Sequence, residues 1–291
     1  MKKLLCVLLT LLLCTGCAAP TKKPPETVPS IQTTAPTEAT TAPTEPTIVP
    51  TEPEEPEPPT LLDLLTTAIR PVGSTMYVWG GGWNEEDTGA GIEATTLGLP
   101  RRWANFARQQ FPDYDYKNTR YQIHDGLDCS GYLGWAVYNT LETEDGRPGY
   151  VYKATHMARI LAELGLGDYI PAKSMDRWLP GDLMSMEGHC WLVVGQCADG
   201  SVLLLHASPP GVIFSGTKRP DGSPSDATRL ASEIMAEHFP QWHASYPDYA
   251  RSHDYLTKSS ALRWNDATLP DPHGLRSMTA QEILALLFPT T

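Results

Sequence analysis

The 291-residue chain has few basic residues and, beyond its first segment, no long apolar run. Its 22 lysines and arginines are outnumbered by 34 aspartates and glutamates, which gives a formal net charge of −12. Proteins that bind nucleic acids present a basic face to the phosphates, so this composition argues against a nucleic acid as a partner. After residue 13 no apolar run approaches the roughly 20 residues that a membrane-spanning helix needs, so no later transmembrane segment is expected.

Sequence signals for bound cofactors are also scarce. There is no H-E-x-x-H motif, and residues 61–291 contain no C-x-x-C pair, so the common zinc sites are not predicted. The run GAGIEA at residues 89–94 has the glycine spacing of a dinucleotide-binding loop. The residues before it, WNEEDT, do not predict the strand that such a loop follows. We therefore expect neither a metal ion nor an organic cofactor.

The first 17 residues, MKKLLCVLLTLLLCTGC, predict an export signal. Two lysines precede an apolar run over residues 4–13, which is too short to span a bilayer permanently. Residues 15–17 resemble the end of a bacterial lipobox, although Cys14 occupies the position where that pattern prefers leucine. This resemblance implies that Cys17 is lipidated and becomes the new N-terminus. The chain would then be anchored on the extracellular face of the bacterial cytoplasmic membrane, with plain secretion as the alternative.

Residues 18–60 predict a disordered spacer. Proline, threonine and glutamate dominate, aromatic residues are absent, and TTAPTE occurs at residues 33–38 and again at 40–45. Such a segment buries too little apolar surface to offset the entropy of ordering the chain. The spacer would let a folded domain reach from the membrane into the cell wall. That domain is predicted to span residues 61–291, which contain all eight tryptophans, and we expect it to be a monomer.

Apolar periodicity in residues 61–291 predicts helices followed by strands. Helices are expected at residues 61–70, 101–111, 129–140, 154–164 and 226–238, with a last helix after the Thr279-x-x-Glu282 capping box. Strands are expected at residues 190–194, 202–206 and 212–214, separated by turn signals. Without regular alternation of strands and helices, this order indicates an α+β fold with an antiparallel sheet packed against helices.

Cys129 is the candidate nucleophile. It begins the predicted helix at residues 129–140, where unpaired backbone N–H groups favour the thiolate. The N–H groups of this first turn, including that of Ser130, are candidates to bind an oxyanion. An isolated cysteine is more often a buried, inert residue. The neighbours Asp128, Ser130 and Gly131 reverse that expectation.

His189 and His206 are the candidate base and its orienting partner. Each lies at the edge of a predicted strand in one hairpin, so the two imidazoles are expected to share a face. His189 would accept the thiol proton on one ring nitrogen while His206 holds the other. Pattern alone does not select these two among the eight histidines of the chain.

Several segments together resemble the NlpC/P60 cell-wall peptidases. They are GLDCSGY at residues 126–132, LPGDL and GHCWLVVG within 179–195, LLHASPPGVIFS at 204–215, and YVWGG at 77–81. The resemblance implies a papain-like α+β fold in which Cys129, His189 and His206 form a catalytic triad and Tyr77 lies beside the thiol. It also implies hydrolysis of peptidoglycan stem peptides, typically between D-isoglutamate and the following diamino acid. Relative to this family, residues 84–125 form a large insertion and residues 216–291 a C-terminal extension.

Two other functions remain open at this stage. A CHAP-type amidase or a thiol acyltransferase would use the same nucleophile on another substrate. A non-enzymatic lipoprotein would only bind the wall. Cys190 and Cys197 lie seven residues apart, about 23 Å along one strand, so they are not expected to form a disulfide. Cys190 is also expected to point to the face opposite His189, because side chains alternate along a strand, so Cys129 is expected to stay unpaired.

Overall fold

The computed structural model describes residues 57–142, 144 and 147–289. The predicted signal peptide, the lipidation residue Cys17 and the spacer up to residue 56 lie outside the described residues. The helices of the described part are α1 (Leu61–Ile69), α2 (Arg101–Ala107), α3 (Cys129–Leu141), α4 (Met157–Glu163), α5 (Asp226–His238), α6 (Pro240–Ser245), α7 (Asp254–Lys258) and α8 (Ala280–Leu287). Its strands are β1 (Gly167–Ile170), β2 (Leu183–Met186), β3 (His189–Gln196), β4 (Val202–Ser208), β5 (Gly211–Thr217), β6 (Ala250–Arg251) and β7 (Ser260–Trp264).

The strands of the described part form a single seven-stranded sheet in the order β1-β7-β2-β3-β4-β5-β6. The expectation of an α+β fold is confirmed, but the prediction of a purely antiparallel sheet is wrong. β5 and β6 pair in parallel, with Gly216 opposite Ala250 and Thr217 opposite Arg251. The chain between these two strands passes through α5 and α6, and a crossover of this kind returns it in its original direction. The sheet is therefore mixed.

Apolar residues cover both faces of the sheet. Along β3, Cys190, Leu192 and Val194 belong to the larger core, which contains the buried residues of α1, α3, α5 and α8. Trp191 and Val193 belong to a smaller cluster on the opposite face, which also includes Leu256 of α7. Because side chains alternate along a strand, burial on both faces explains the continuous apolar run of β3. The start of α3 and the start of β3 lie next to each other at one edge of the larger core.

Local sequence signals explain where several helices begin. The Thr60 hydroxyl accepts the Asp63 N–H at the start of α1, and Thr279 accepts the Glu282 N–H at the start of α8. In both cases the acidic side chain reaches back to the capping residue, which completes a capping box. Two predicted boundaries are wrong: α2 ends at Ala107 rather than residue 111, and α4 begins only at Met157.

The segment interpreted as a C-terminal extension supplies strands to the sheet. β7 lies between β1 and β2 and pairs with both in antiparallel register, while β6 forms the edge beyond β5. Sequence reasoning missed β1, β2, β6 and β7, which are only two to five residues long. In the part of the chain that the structure describes, no helix is both long and apolar enough to cross a bilayer.

Candidate active site

Cys129 is the first residue of α3, and the residue before it caps the helix. One carboxylate oxygen of Asp128, Oδ1, accepts the N–H of Gly131 at 2.7 Å and the hydroxyl of Ser130 at 2.9 Å. The Tyr132 N–H donates to the Asp128 carbonyl at 2.9 Å. Within the described residues, these bonds leave the N–H groups of Cys129 and Ser130 as the free donors of this turn. The predicted oxyanion donors therefore remain available beside the thiol.

The rest of the Asp-Cys-Ser-Gly motif holds the helix start against the segment around residue 81. The Ser130 hydroxyl accepts the Trp83 indole N–H at 3.0 Å, so its role is to brace the turn. A Cβ atom on Gly131 would lie 1.9 Å from the Gly81 carbonyl oxygen, which excludes any larger residue at position 131 without a backbone shift. The four residues of the motif thus have different roles. Asp128 caps the helix and Cys129 is the candidate nucleophile. The Ser130 hydroxyl holds the turn against Trp83, and Gly131 allows the backbone at Gly81 to approach closely.

The two predicted histidines lie in contact beside Cys129. His189 is the first residue of β3, and its Nε2 atom lies 2.9 Å from Nδ1 of His206 on β4. The His189 imidazole also lies close enough to the Cys129 side chain to lower the pKa of its thiol. Because Nε2 faces His206, Nδ1 is the nitrogen left for the sulfur. The structure therefore brings Cys129, His189 and His206 together in series.

The surroundings of Cys129 favour its thiolate. A hydrogen bond from the Cys190 thiol makes the largest contribution to lowering the pKa of Cys129 well below its ordinary value. Burial opposes this effect, whereas the hydrogen bond and positive charge of His189 and the Cys190 backbone N–H add to it. Burial, followed by the contact with the ionised Cys129, raises the pKa of Cys190 well above its usual range. Cys129 is thus the reactive thiol and Cys190 is a protonated donor to it.

The sequence did not predict the contact between Cys190 and Cys129. Strand alternation places the Cys190 side chain on the face opposite His189, which argued against this contact, but the structure shows that this face packs against α3. Cys129, Cys190 and Cys197 are all free thiols in the described part of the chain.

Tyr77 and Asp128 also lie beside the Cys129 thiol, and its negative charge affects the pKa of both. Burial raises the pKa of Asp128 to about 7, and the negative charge of Cys129 adds to the rise, while hydrogen bonds from Gly131 and Ser130 oppose it. Burial and then the charge of Cys129 raise the pKa of Tyr77 far above its usual range. The Tyr77 phenol therefore keeps its proton and remains a hydrogen-bond donor beside the nucleophile.

His206 is held by residues that the sequence did not single out. Its Nε2 atom lies 3.0 Å from the Ser215 hydroxyl and 3.3 Å from Nε of Arg251. Burial, then the charge of Arg251, lowers the pKa of His206 well below its usual range, so the ring stays neutral. The hydroxyl can accept an N–H from Nε2, whereas the guanidinium can only donate to it. The Ser215 hydroxyl can also donate to Nε2, so it is compatible with both tautomers of His206, whereas Arg251 favours the one whose proton lies on Nδ1.

A groove with a volume of about 580 Å³ opens above Cys129. The segment interpreted as an insertion lines much of it, through residues such as Glu85, Asp87 and Tyr121. Trp79, which is exposed, and Trp83, which also belongs to the core, line the groove, whereas Trp103 and Trp135 are buried in the core away from it.

A ligand set for a metal ion is not formed at this site. The described residues contain no group of three or more histidine, cysteine, aspartate or glutamate side chains placed to hold a metal. Cys129, His189 and His206 instead contact one another in series.

Comparison with known proteins does not identify a relative. No protein-family model, curated protein or solved structure gives a significant match to the chain. The likeness to NlpC/P60 peptidases consequently rests on the sequence segments described above.

The contact between Cys190 and Cys129 makes a pH-dependent prediction. Replacing Cys190 with alanine removes a donor to the thiolate, so the pKa of Cys129 should rise. Alkylation by iodoacetamide depends on the thiolate and is lost as the pH falls through this pKa. The alkylation rate should therefore begin to fall at a higher pH in Cys190→Ala than in the wild type. At mildly acidic pH the rate for the variant should be roughly tenfold lower, which is the effect expected from the loss of one hydrogen bond to a charged group. Rate–pH profiles from peptide mass spectrometry provide the measurement.

Cys190→Ser is the matched control because its hydroxyl can still donate to Cys129. It should keep a profile closer to that of the wild type than Cys190→Ala does. Identical profiles for all three proteins would show that Cys190 does not stabilise the thiolate.

Proposed function

We propose that this protein is a peptidoglycan endopeptidase with a papain-like NlpC/P60 fold. It hydrolyses an amide bond of the stem peptide, between D-isoglutamate and the diamino acid. The observation that carries the proposal is the contact series from Cys129 through His189 to His206, set at a helix N-terminus on the floor of a groove. A low-pKa thiolate next to an oriented imidazole is the arrangement that nucleophilic acyl transfer requires.

The proposed reaction proceeds through an acyl-enzyme. The Cys129 thiolate attacks the amide carbonyl, and the oxyanion accepts hydrogen bonds from the backbone N–H groups of Cys129 and Ser130 and from the Tyr77 phenol. As the C–N bond breaks, protonated His189 gives its proton to the leaving amine. A water molecule then attacks the thioester carbonyl while His189 accepts its proton. The C–S bond breaks, and the carboxylic acid and the thiolate are released.

His206 has an orienting role in this proposal. To hold His189, its Nδ1 atom must accept the Nε2–H of His189, so its own proton must lie on Nε2. The Ser215 hydroxyl, 3.0 Å from Nε2, can accept this proton. Arg251 can only donate to Nε2, so the proposed arrangement requires Nε2 to be paired with Ser215 and not with Arg251.

Fragment analysis of digested peptidoglycan tests the function. Purified peptidoglycan is incubated with the protein, and the soluble products are identified by mass spectrometry. An endopeptidase releases fragments cut within the stem peptide, with new termini at D-isoglutamate and at the diamino acid. Release of whole stem peptides would instead indicate a CHAP-type amidase, and the absence of cleavage by a protein whose Cys129 reacts with iodoacetamide would contradict both.

We also propose a location on the extracellular face of the cytoplasmic membrane, through a lipid on Cys17. The sequence of residues 1–17 supports this location. The full chain should fractionate with membranes and Cys17→Ser should not. Equal membrane association of the two proteins would exclude a lipid anchor at this residue.

A further inference from the structure

The charges around the groove are distributed unevenly. Its lining includes the carboxylates of Glu85, Asp87 and Asp128, and Lys153 is the one lysine or arginine among the described lining residues. Lys153 is exposed, in the segment that leads into α4. Within the described part of the chain, no carboxylate lies within ion-pair distance of its ammonium group. A negatively charged group of a ligand therefore meets attraction at Lys153 and repulsion at Glu85 and Asp87.

A second cation, Arg120, lies near the rim but is placed differently. Its guanidinium stacks over the ring of Trp79, 4.9 Å from the ring centroid, and over that of Tyr121 at 5.0 Å. Trp79 and Tyr121 line the groove, whereas Arg120 itself does not. The aromatic rings thus hold this charge at the rim, and among the lysines and arginines of the described residues Lys153 is the one that lines the groove.

The proposed substrate carries one carboxylate close to the reacting atom. D-isoglutamate is linked through its side-chain carbonyl, so its α-carboxylate remains free, a few bonds from the carbon that Cys129 attacks. A bound substrate must place this carboxylate within the groove when its carbonyl lies over Cys129. An ammonium group and a carboxylate form a charge-assisted hydrogen bond, which is stronger than one between neutral groups.

We propose that Lys153 binds the free α-carboxylate of the residue on the acyl side of the cleaved bond. This inference rests on the proposed function. The groove would thereby select stem peptides with D-isoglutamate over those in which this carboxylate is amidated to D-isoglutamine. Lys153 is then a specificity-determining residue. It contacts the substrate but takes no part in proton transfer.

A pair of synthetic peptides tests the selection. The peptides L-Ala-γ-D-Glu-L-Lys-D-Ala and its D-isoglutamine counterpart differ only in the amidated carboxylate. The wild-type chain should cleave the first with a kcat/KM at least about tenfold higher, as expected for a hydrogen bond between charged groups. Lys153→Met should lose this factor on the first peptide and retain the wild-type kcat/KM on the second within about twofold. A Lys153→Met variant that discriminates as the wild type does would overturn the inference.

Two control variants separate Lys153 from general electrostatic effects. Lys173→Met removes an exposed lysine that does not line the groove, in the short 3-10 helix Ala172–Ser174. It should discriminate between the peptides as strongly as the wild type. Arg120→Met should also keep the discrimination. If discrimination disappears in Arg120→Met and not in Lys153→Met, the carboxylate binds at the rim and the inference is wrong.

A binding measurement distinguishes failure of this inference from failure of the proposed reaction. Calorimetry with the full-length Cys129→Ala variant compares L-alanyl-γ-D-glutamate with its α-amide, and no cleavage is needed. The acid should bind at least about tenfold more tightly than the amide, and the added Lys153→Met substitution should remove the difference. Equal affinity of acid and amide for Cys129→Ala would overturn the inference even if stem peptides are hydrolysed. A preference for the acid without cleavage would support it and contradict the endopeptidase function.

Discussion

Replacing Cys129 with alanine should abolish hydrolysis of peptidoglycan stem peptides while leaving the fold intact. The thiolate forms the covalent bond of the proposed acyl-enzyme, and no other thiol of the described part is equivalent to it. Cys190 is protonated and fully buried. We expect kcat/KM to fall by at least about 10³-fold, the usual consequence of removing a nucleophile. Release of fragments from purified peptidoglycan, followed by mass spectrometry, provides the measurement.

The stability of the variant must be checked in the same preparation. Alanine fills most of the volume of the cysteine side chain, so the thermal midpoint should stay within about 4 °C of the wild type. Cys197→Ala is the matched control, because this cysteine is also buried and free but lies beyond the far end of β3. It should retain full activity. Wild-type hydrolysis by Cys129→Ala would end the proposed mechanism.

Replacing His189 with glutamine should reduce both hydrolysis and thiol reactivity. Glutamine can still hydrogen-bond to His206, but it can neither carry the positive charge that favours the thiolate nor donate a proton to the leaving amine. We expect a loss of roughly 10³-fold in kcat/KM, within the range of general acid–base catalysis. The pKa of Cys129 should rise because a hydrogen bond and a positive charge are both lost. The rate of iodoacetamide alkylation, measured against pH, should therefore decline at a higher pH than in the wild type.

His273→Gln is the control for this substitution. His273 is exposed and lies outside the groove, so its replacement should change neither kcat/KM nor the alkylation profile. If His189→Gln keeps its activity within tenfold of the wild type, His189 is not the general acid and base. A lowered kcat/KM with an unchanged alkylation profile would show that His189 acts on the substrate without stabilising the thiolate.

Local signals predicted the helices of this protein better than its sheet. The capping pairs at Thr60 and Thr279 depend on residues three positions apart, so they are visible in the sequence. The strand β7 was missed because it forms only by insertion between β1 and β2, whose paired residues lie about 75 to 97 positions away in the chain. The parallel pairing of β6 depends in the same way on the path through α5 and α6.

The residues of the candidate site likewise fall into those that local sequence predicts and those that only the fold brings together. Cys129, Asp128 and Ser130 lie in one helix turn, so the cap by Asp128 and the backbone donors beside the thiol follow from their spacing along the chain, whereas the bond from Trp83 to the Ser130 hydroxyl does not. Ser215 and Arg251 contact His206 from different strands, and no local motif marks them. Cys190, the donor to the thiolate, was only partly predictable from the sequence. Its face was deducible from strand alternation, but its contact with Cys129 depends on how α3 packs against β3.

The sequence by itself determined the capped start of α3, the glycine at position 131 and the alternation of side chains along β3. These features depend on backbone geometry over a few residues, which the local residue types specify. Only the tertiary structure decided the position of β7 within the sheet, the partners of His206, and the placement of Lys153 in the same groove as Glu85, Asp87 and Cys129. Such contacts join residues far apart in the chain and form because burial of both sheet faces brings their elements together, which no short stretch of sequence encodes.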